Sequence, residues 1–288
     1  METRSEKLKE IIIWAEENPD IRAVLLTSSL VNPYAPVDEF SDLDVELVFE
    51  NMKSYEIDKN WISNFGKPIS MVEENETFFE NKHAMKMVLY DDYVKVDFKL
   101  YQKSEFIKEM QAAILPEDWD VGYKVLVDKD NLTQSLKPPT YQSIMIKKPS
   151  EQRFQQLMND FWWDTTYVAK CLKRDEIFYA KFMSENVIRT DYLVPLIEWY
   201  IADEKGWENI TTNKHGRLFK QHLSPELWKK VEFTFSGSNI EENWNALFAS
   251  ADLVHELGIN LSEKLNLTYP IELENDIRKY LSDIRSKA

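Results

Sequence analysis

The stretch Leu25-Leu26-Thr27-Ser28-Ser29, followed twelve residues later by Asp42-Leu43-Asp44-Val45-Glu46-Leu47-Val48-Phe49, decides the reading of this chain. The second half alternates: Leu43, Val45, Leu47 and Phe49 fall on one face, Asp42, Asp44 and Glu46 on the other. That period belongs to a half-buried strand. Asp42 and Asp44 therefore share a face, their Cα atoms ~7 Å apart. Neighbouring carboxylates repel unless a cation stands between them. A hard divalent cation such as Mg²⁺, which takes oxygen ligands, resolves the conflict. Ile21 to Thr27 is an apolar run that ends in hydroxyl residues and reads as the preceding strand. A strand, a loop opening on Ser28 and Ser29, and a strand opening on Asp-x-Asp could hold a triphosphate and its metal.

Outward from this centre the chain changes texture. Glu6 to Glu17 carries Leu8, Ile11, Ile12 and Ala15 at helical spacing, with Ser5 as its candidate N-cap. Met85–Tyr90 and Tyr93–Leu100 read as a hairpin around Asp91-Asp92, the second arm placing Val94, Val96, Phe98 and Leu100 inward and Tyr93, Lys95, Asp97 and Lys99 outward. Trp61 to Phe65 and Phe78-Phe79 show no clear period. Ser104–Ala113 reads as a helix and Val125–Val127 as a short strand. After Lys147-Lys148-Pro149-Ser150 the pattern becomes helical throughout. Phe154, Leu157, Met158, Phe161, Trp162, Thr165 and Val168 step by three and four. Further helices are expected over Ile177–Asp203 with a break at Pro195, Pro225–Phe233, Ile240–Leu257 and Ile271–Lys287. The expected architecture is an α/β domain over 1–149, a mixed sheet with flanking helices, and an all-α helical domain over 150–288.

Charge narrows the function. The chain has 35 basic and 50 acidic residues, a net charge of −15. Such a surface repels polyanions, so nucleic acid is not expected as a partner, whereas a polycationic small molecule is attracted. No apolar run approaches the ~20 residues of a membrane helix, and Met1 to Lys7 leads into an amphipathic helix pattern rather than a signal peptide. A lone cysteine, Cys171, excludes an intrachain disulfide and reads as a small buried side chain. A cytoplasmic monomer is expected. His83, His215, His222 and His255 show no metal-ligand spacing. With six glycines there is neither a Gly-x-Gly-x-x-Gly nor a Walker loop, which argues against Rossmann dehydrogenases and P-loop kinases.

The hydroxyl pair, the spacer and the Asp-x-Asp resemble the motif of the nucleotidyltransferase superfamily, and the whole chain resembles the aminoglycoside 6-adenylyltransferases, the streptomycin-modifying branch. The likeness runs in order through Ile21-Arg22-Ala23-Val24, Asn32-Pro33, Phe40-x-Asp42-x-Asp44, Phe65-Gly66-Lys67, Lys95-Val96-Asp97, Leu126-x-Asp128-Lys129-Asp130, Lys148-Pro149, Phe161-Trp162, Thr165-Thr166-Tyr167-Val168, Lys170 and Tyr269-Pro270. It implies Mg²⁺-dependent transfer of AMP from ATP to a hydroxyl of an aminoglycoside-like acceptor, with pyrophosphate released, and so a role in antibiotic resistance. Asp42, Asp44 and Asp97 would then be metal ligands, with Asp97 also the candidate base. Ser28 and Ser29 would bind phosphate, as would Lys214 and Arg217, which with Lys220 are expected on one basic helix. An ordinary surface Asp-x-Asp and a solvated basic helix face are the plainer readings of these residues.

Departures from the family pattern are equally visible. Its Gly-Ser is Ser28-Ser29 here and the Arg that follows is Leu30. A Cβ at Ser28 calls for a negative φ or else weakens the phosphate contact. A relative that binds nucleotide or a cationic ligand without turnover is the alternative these positions keep open, and another acceptor is the alternative raised by Lys181-Phe182-Met183. Trp162, Trp163, Asp164, Tyr167 and Glu185 are candidates for the acceptor side, although Trp162 and Tyr167 at helical spacing also fit a core.

Overall fold

The structure, a computed structural model, describes residues 2–287. The chain divides into two compact units, Met1–Ile144 and Met145–Ala288. The first holds a six-stranded sheet flanked by short helices. Its elements are α1 (Glu2–Glu17), β1 (Ile21–Thr27), β2 (Leu43–Phe49), α2 (Met52–Ile57), β3 (Pro68–Glu74), β4 (His83–Tyr90), β5 (Lys95–Gln102), α3 (Lys103–Met110), α4 (Glu117–Asp120) and β6 (Tyr123–Asp128). The strand order is β3-β4-β5-β2-β1-β6. All neighbours are antiparallel except β2 and β5, which run parallel and in register from Leu43–Val96 to Phe49–Gln102.

Alternation along the strands becomes two different faces. Leu43, Val45, Leu47 and Phe49 join Val96, Phe98, Leu100, Val88 and Tyr90 in a core closed by Ile11 and Ala15 of α1 and by Trp61, Ile62 and Phe65. The last three lie on a 3-10 stretch, Asn60–Phe65, in the region without a readable period; stacking of Trp61 on Trp14 at 5.3 Å shows how it docks. On the other face Ala23, Leu25, Val48, Tyr101, Phe106, Met110 and Trp119 form a smaller core.

That second face also buries charge. Glu46 is 1% exposed and its carboxylate accepts a hydrogen bond from Trp119 Nε1 at 2.8 Å. Its register partner on β5 is Lys99, whose ammonium lies 3.7 Å from Glu46 and 2.5 Å from Asp118. Burial pushes the Glu46 carboxyl up to about 7, with Lys99 and the indole N–H opposing.

Several sequence expectations need correction. Helix α1 begins at Glu2, ahead of Ser5, so Ser5 caps nothing. Strand β3 was not anticipated: it is an edge strand, mostly exposed, and so lacks an apolar rhythm. The β4–β5 turn places Tyr93 at φ +64°, so β5 starts at Lys95. The segment expected as a helix over Ser104–Ala113 is helical over Lys103–Met110, and β6 is six residues long.

Among the described residues of the second unit every regular element is a helix: α5 (Glu151–Lys173), α6 (Ile177–Lys181), α7 (Val194–Glu204), α8 (Phe219–His222), α9 (Pro225–Glu232), α10 (Ile240–Leu265) and α11 (Ile271–Ser286). Ser150, Ser224 and Asn239 cap α5, α9 and α10 by accepting from backbone N–H groups. The α5 stripe predicted from spacing is the centre of this unit's core, where Phe154, Leu157, Met158, Phe161 and Trp162 are each wholly buried. Pro195 does not break the chain. Phe182–Leu193 winds with i→i+5 bonding between α6 and α7, and the proline sits in the first turn of α7, where its ring is tolerated. Helix α10 runs eight residues past the expected end at Leu257, and Gly258, in its second half, lets Tyr269 pack close to the backbone.

A methyl group at Gly258 would lie 2.5 Å from the Tyr269 ring, which cannot retreat because its hydroxyl is bonded to Glu274 at 2.7 Å. Ala gains ~1 kcal/mol of helix propensity over Gly, whereas overpacking costs ~1–3 kcal/mol. Gly258→Ala is therefore expected to lower stability by about 1 kcal/mol in urea unfolding, the reverse of its effect at an open helix position.

Candidate active site

Asp44 and Asp97 are register partners on β2 and β5, so the two carboxyl-bearing side chains stand side by side on the same face. Asp42 lies just before β2. The structure thus brings all three predicted aspartates to the C-terminal side of β1. Lys95, one outward position before Asp97, reaches across them: its ammonium is 2.9 Å from Asp42 Oδ2 and 3.0 Å from Asp97 Oδ2. The other oxygen of Asp97, Oδ1, is buried with no hydrogen-bond partner. Lys95 stood in the outward alternation of β5, yet alternation alone does not tell a solvated lysine from a bridging one.

Burial pushes the Asp44 carboxyl up to about 6 from an ordinary 3.8, and repulsion from Asp97 and Asp42 adds to this, while the Ser28 hydroxyl and Lys95 oppose it. Among the described residues no three His, Cys, Asp or Glu side chains converge as a ready-made cation site. Lys95 instead holds one oxygen each of Asp42 and Asp97. The residues nonetheless fit a divalent ion. A cation already sits between two of the carboxylates, and Asp97 Oδ1 is a buried acceptor with nothing to accept from.

The loop after β1 supplies the hydroxyls. Ser28 opens a short 3-10 turn, Ser28–Leu30, with φ +61°. Of the two readings its Cβ left open, negative φ is excluded: the backbone takes the left-handed conformation that glycine favours. Ser29 is the middle residue of the same turn. Leu30, in place of a basic residue, packs against the main core instead of carrying charge.

In the second unit the expectation of one basic helix fails. Lys214–Gly216 is a tight turn with Asn213, His215 and Gly216 all at positive φ, and Arg217 follows it; only Phe219–His222 is helical. Ahead of the turn the Thr212 hydroxyl donates to Glu198 at 2.8 Å, and the Leu218 N–H bonds back to the Thr212 carbonyl. Lys214 and Arg217 remain exposed.

The acceptor-side candidates separate. Trp162 is core. Trp163 is 63% exposed. Asp164 accepts a 2.6 Å hydrogen bond from the Tyr192 hydroxyl. Tyr167 lies at the edge of the core with Lys170 over its ring at 4.3 Å. Glu185 is not a free carboxylate: Lys181, at 3.0 Å, and Arg189 hold it, and these cations pull it below the usual range against the opposing effect of burial.

The sequence profile described as streptomycin adenylyltransferase matches residues 1–284. The chain belongs to that family, a family of nucleotidyltransferase enzymes. It is 29% identical over 288 residues to a protein named aminoglycoside 6-adenylyltransferase from Bacillus subtilis (strain 168), covering 99% of this chain and 98% of that one. It is 30% identical over 273 residues to one of the same name from Campylobacter jejuni, covering 93% and 92%. A crystal structure described as an aminoglycoside 6-adenyltransferase from Bacillus subtilis superposes with a TM-score of 0.47 at 25% identity, covering 99% of both chains.

Two measurements check the site. Serine and alanine pay the same Cβ cost in left-handed backbone, ~1–2 kcal/mol, and both Ser28→Gly and Ser28→Ala lose the hydroxyl. Part of the glycine advantage is returned as unfolded-state entropy, so Ser28→Gly should be about 1 kcal/mol more stable than Ser28→Ala; equal stabilities would mean that Ser28 is unstrained. The second concerns pH. Folded Asp44 keeps its proton to about 6 while the unfolded chain releases it near 3.8, so the metal-free folded state binds more protons in that window. Stability of the chelator-treated protein should fall by about 3 kcal/mol from Asp44 as pH rises through it, and Asp44→Asn should make the plot of urea midpoint against pH shallower there, leaving the slope that the raised Glu46 carboxyl contributes.

Proposed function

We propose that this chain transfers the AMP moiety of ATP to a hydroxyl of an aminoglycoside, with streptomycin the first acceptor to test, and releases pyrophosphate with the help of Mg²⁺. The observation that carries the reading is the in-register pair Asp44–Asp97 with Asp42 beside it and Lys95 lying between Asp42 and Asp97. Asp42, Asp44 and Asp97 would hold the metal. When bound, Mg²⁺ supplies neutralisation of phosphate charge and polarisation at the α-phosphorus.

The residues of the chain do the rest. The acceptor hydroxyl oxygen forms a bond to the α-phosphorus and the bond from that phosphorus to the bridging oxygen breaks, its electron pair leaving with pyrophosphate. The hydroxyl proton needs a base. Asp97 suits that task because Oδ1 is unpartnered while Oδ2 is tied to Lys95. Ser28 and Ser29 orient phosphate oxygens through hydroxyl and N–H groups, and the left-handed Ser28 keeps the backbone path a glycine would take. Lys214 and Arg217, exposed on their turn, are available to phosphate. A direct displacement is preferred, since no activated nucleophile stands in the site; Cys171 is buried, and burial, the nearby Glu176 and a hydrogen bond to it push its thiol up.

Release of pyrophosphate from ATP and Mg²⁺ against a panel of aminoglycosides, neutral sugars and anionic alcohols tests the reading. Turnover with an aminoglycoside and not with the others is expected. Asp42→Asn, Asp44→Asn and Asp97→Asn should each lower it by at least ~10²-fold with the fold retained. Turnover of all three variants within about threefold of the parent would refute the site.

A further inference from the structure

Lys95 is placed where the metal of the proposed reaction would have to be. Its ammonium takes one oxygen each from Asp42 and Asp97, at 2.9 and 3.0 Å, so metal and ammonium cannot share those oxygens. The side chain is 40% exposed, on a flexible four-carbon stem. The next outward lysine on the strand, Lys99, is buried between Glu46 and Asp118 and cannot take over. Across from Asp97 on β4 stands Met87, which offers no charge.

We propose that Lys95 is an exchangeable counter-cation: it holds Asp42 and Asp97 together before metal binds, yields them to the metal, and then pairs with the phosphates of the nucleotide. The inference rests on the adenylyltransferase reading above and adds a residue role and an order of loading to it. A released ammonium that has lost two carboxylates is stabilised by a new anion, and the triphosphate is the anion that arrives. Metal binding alone therefore works against two ion pairs, whereas metal and triphosphate together replace them. Binding of each should strengthen the other through Lys95, and by linkage the effect is reciprocal.

The test is the affinity of Mn²⁺, read by electron paramagnetic resonance with and without a non-hydrolysable ATP analogue and corrected for metal held by free analogue. In Lys95→Met, Mn²⁺ alone should bind at least about fivefold more tightly than in the parent, and the tightening caused by the analogue should shrink by a similar factor. Lys108→Met, an equal loss of charge on exposed α3, should leave both values unchanged, which separates a local exchange from the general effect of making an acidic protein more acidic. Unchanged or weaker Mn²⁺ binding by Lys95→Met overturns the proposal, as does an equal effect of Lys108→Met. Asp97→Asn tells the two failures apart. If it abolishes Mn²⁺ binding while Lys95→Met does not tighten it, only the role of Lys95 falls. If it leaves Mn²⁺ binding intact, the carboxylate site itself fails and takes Lys95 with it.

Discussion

Two carboxylates at paired positions of adjacent strands repel, and the first unit is arranged around that repulsion. Asp44 and Asp97 face each other because β2 and β5 run parallel and in register. Like charges directly opposite destabilise a sheet, so such a pair persists only where something offsets it. Three groups do so here: the Ser28 hydroxyl, the Lys95 ammonium and the proton that Asp44 retains up to about 6. Each is a placeholder in the chemical sense. A hydroxyl, an ammonium and a proton all put positive charge where a divalent ion would put more.

The parallel pairing has a topological requirement. Parallel neighbours cannot be joined by a tight turn, and the chain between β2 and β5 carries α2, the Asn60–Phe65 turn, β3 and β4 before returning. That excursion builds the outer half of the sheet and delivers Trp61, Ile62 and Phe65 to the main core. Register is then held from both faces. A slip of one residue would send Leu43, Val45 and Leu47 to the polar side. It would also separate Glu46 from Lys99 and Trp119, a buried set whose members satisfy one another. The buried pair one step along the strands from Asp44 and Asp97 therefore works as a key for the register that aligns them. A buried pair of this kind is a weak source of stability but a strong source of specificity when mispairing strands its charges.

Much of this was legible in the sequence, and the limits follow from what periodicity measures. Alternation reports which face a residue occupies, so it put Asp42 and Asp44 on one face and Asp97 on the outward face of its own strand; that the two strands lie side by side came only with the family resemblance, and their register pairs Asp44 with Asp97. Alternation says nothing of neighbours across the sheet, so the bridge made by Lys95 and the pairing of Glu46 with Lys99 were invisible. Helical spacing found the α5 stripe because a wide apolar face is needed to bury a long helix. It failed at Lys214, Arg217 and Lys220, where the same spacing arises from a turn with three residues at positive φ. β3 escaped because an edge strand buries little. Pro195 misled because a proline in the first turn of a helix costs nothing that the winding before it cannot absorb. At Ser28 the side chain left two readings open, a negative φ or a weakened phosphate contact, and the backbone at +61° is the one that a Cβ disfavours.

The proposed substrates carry opposite charge, and that makes the acidic balance of the chain more than a solubility feature. A protein of net charge −15 attracts a polycationic acceptor at long range and repels a triphosphate. The same three aspartates that would anchor a metal make the repulsion strongest at the reacting centre. A bare carboxylate cluster would suit the acceptor and exclude the donor. Positive charge held loosely at that centre resolves the conflict, because it can be exchanged as the ligands arrive. Lys95, partly out in solvent and tied to two of the three aspartates, has the reach and the freedom for that role, and Lys99, buried four residues further along the same strand, has neither. Two lysines four residues apart on one strand thus differ in use because one ends in a closed ion-pair set and the other in an open one.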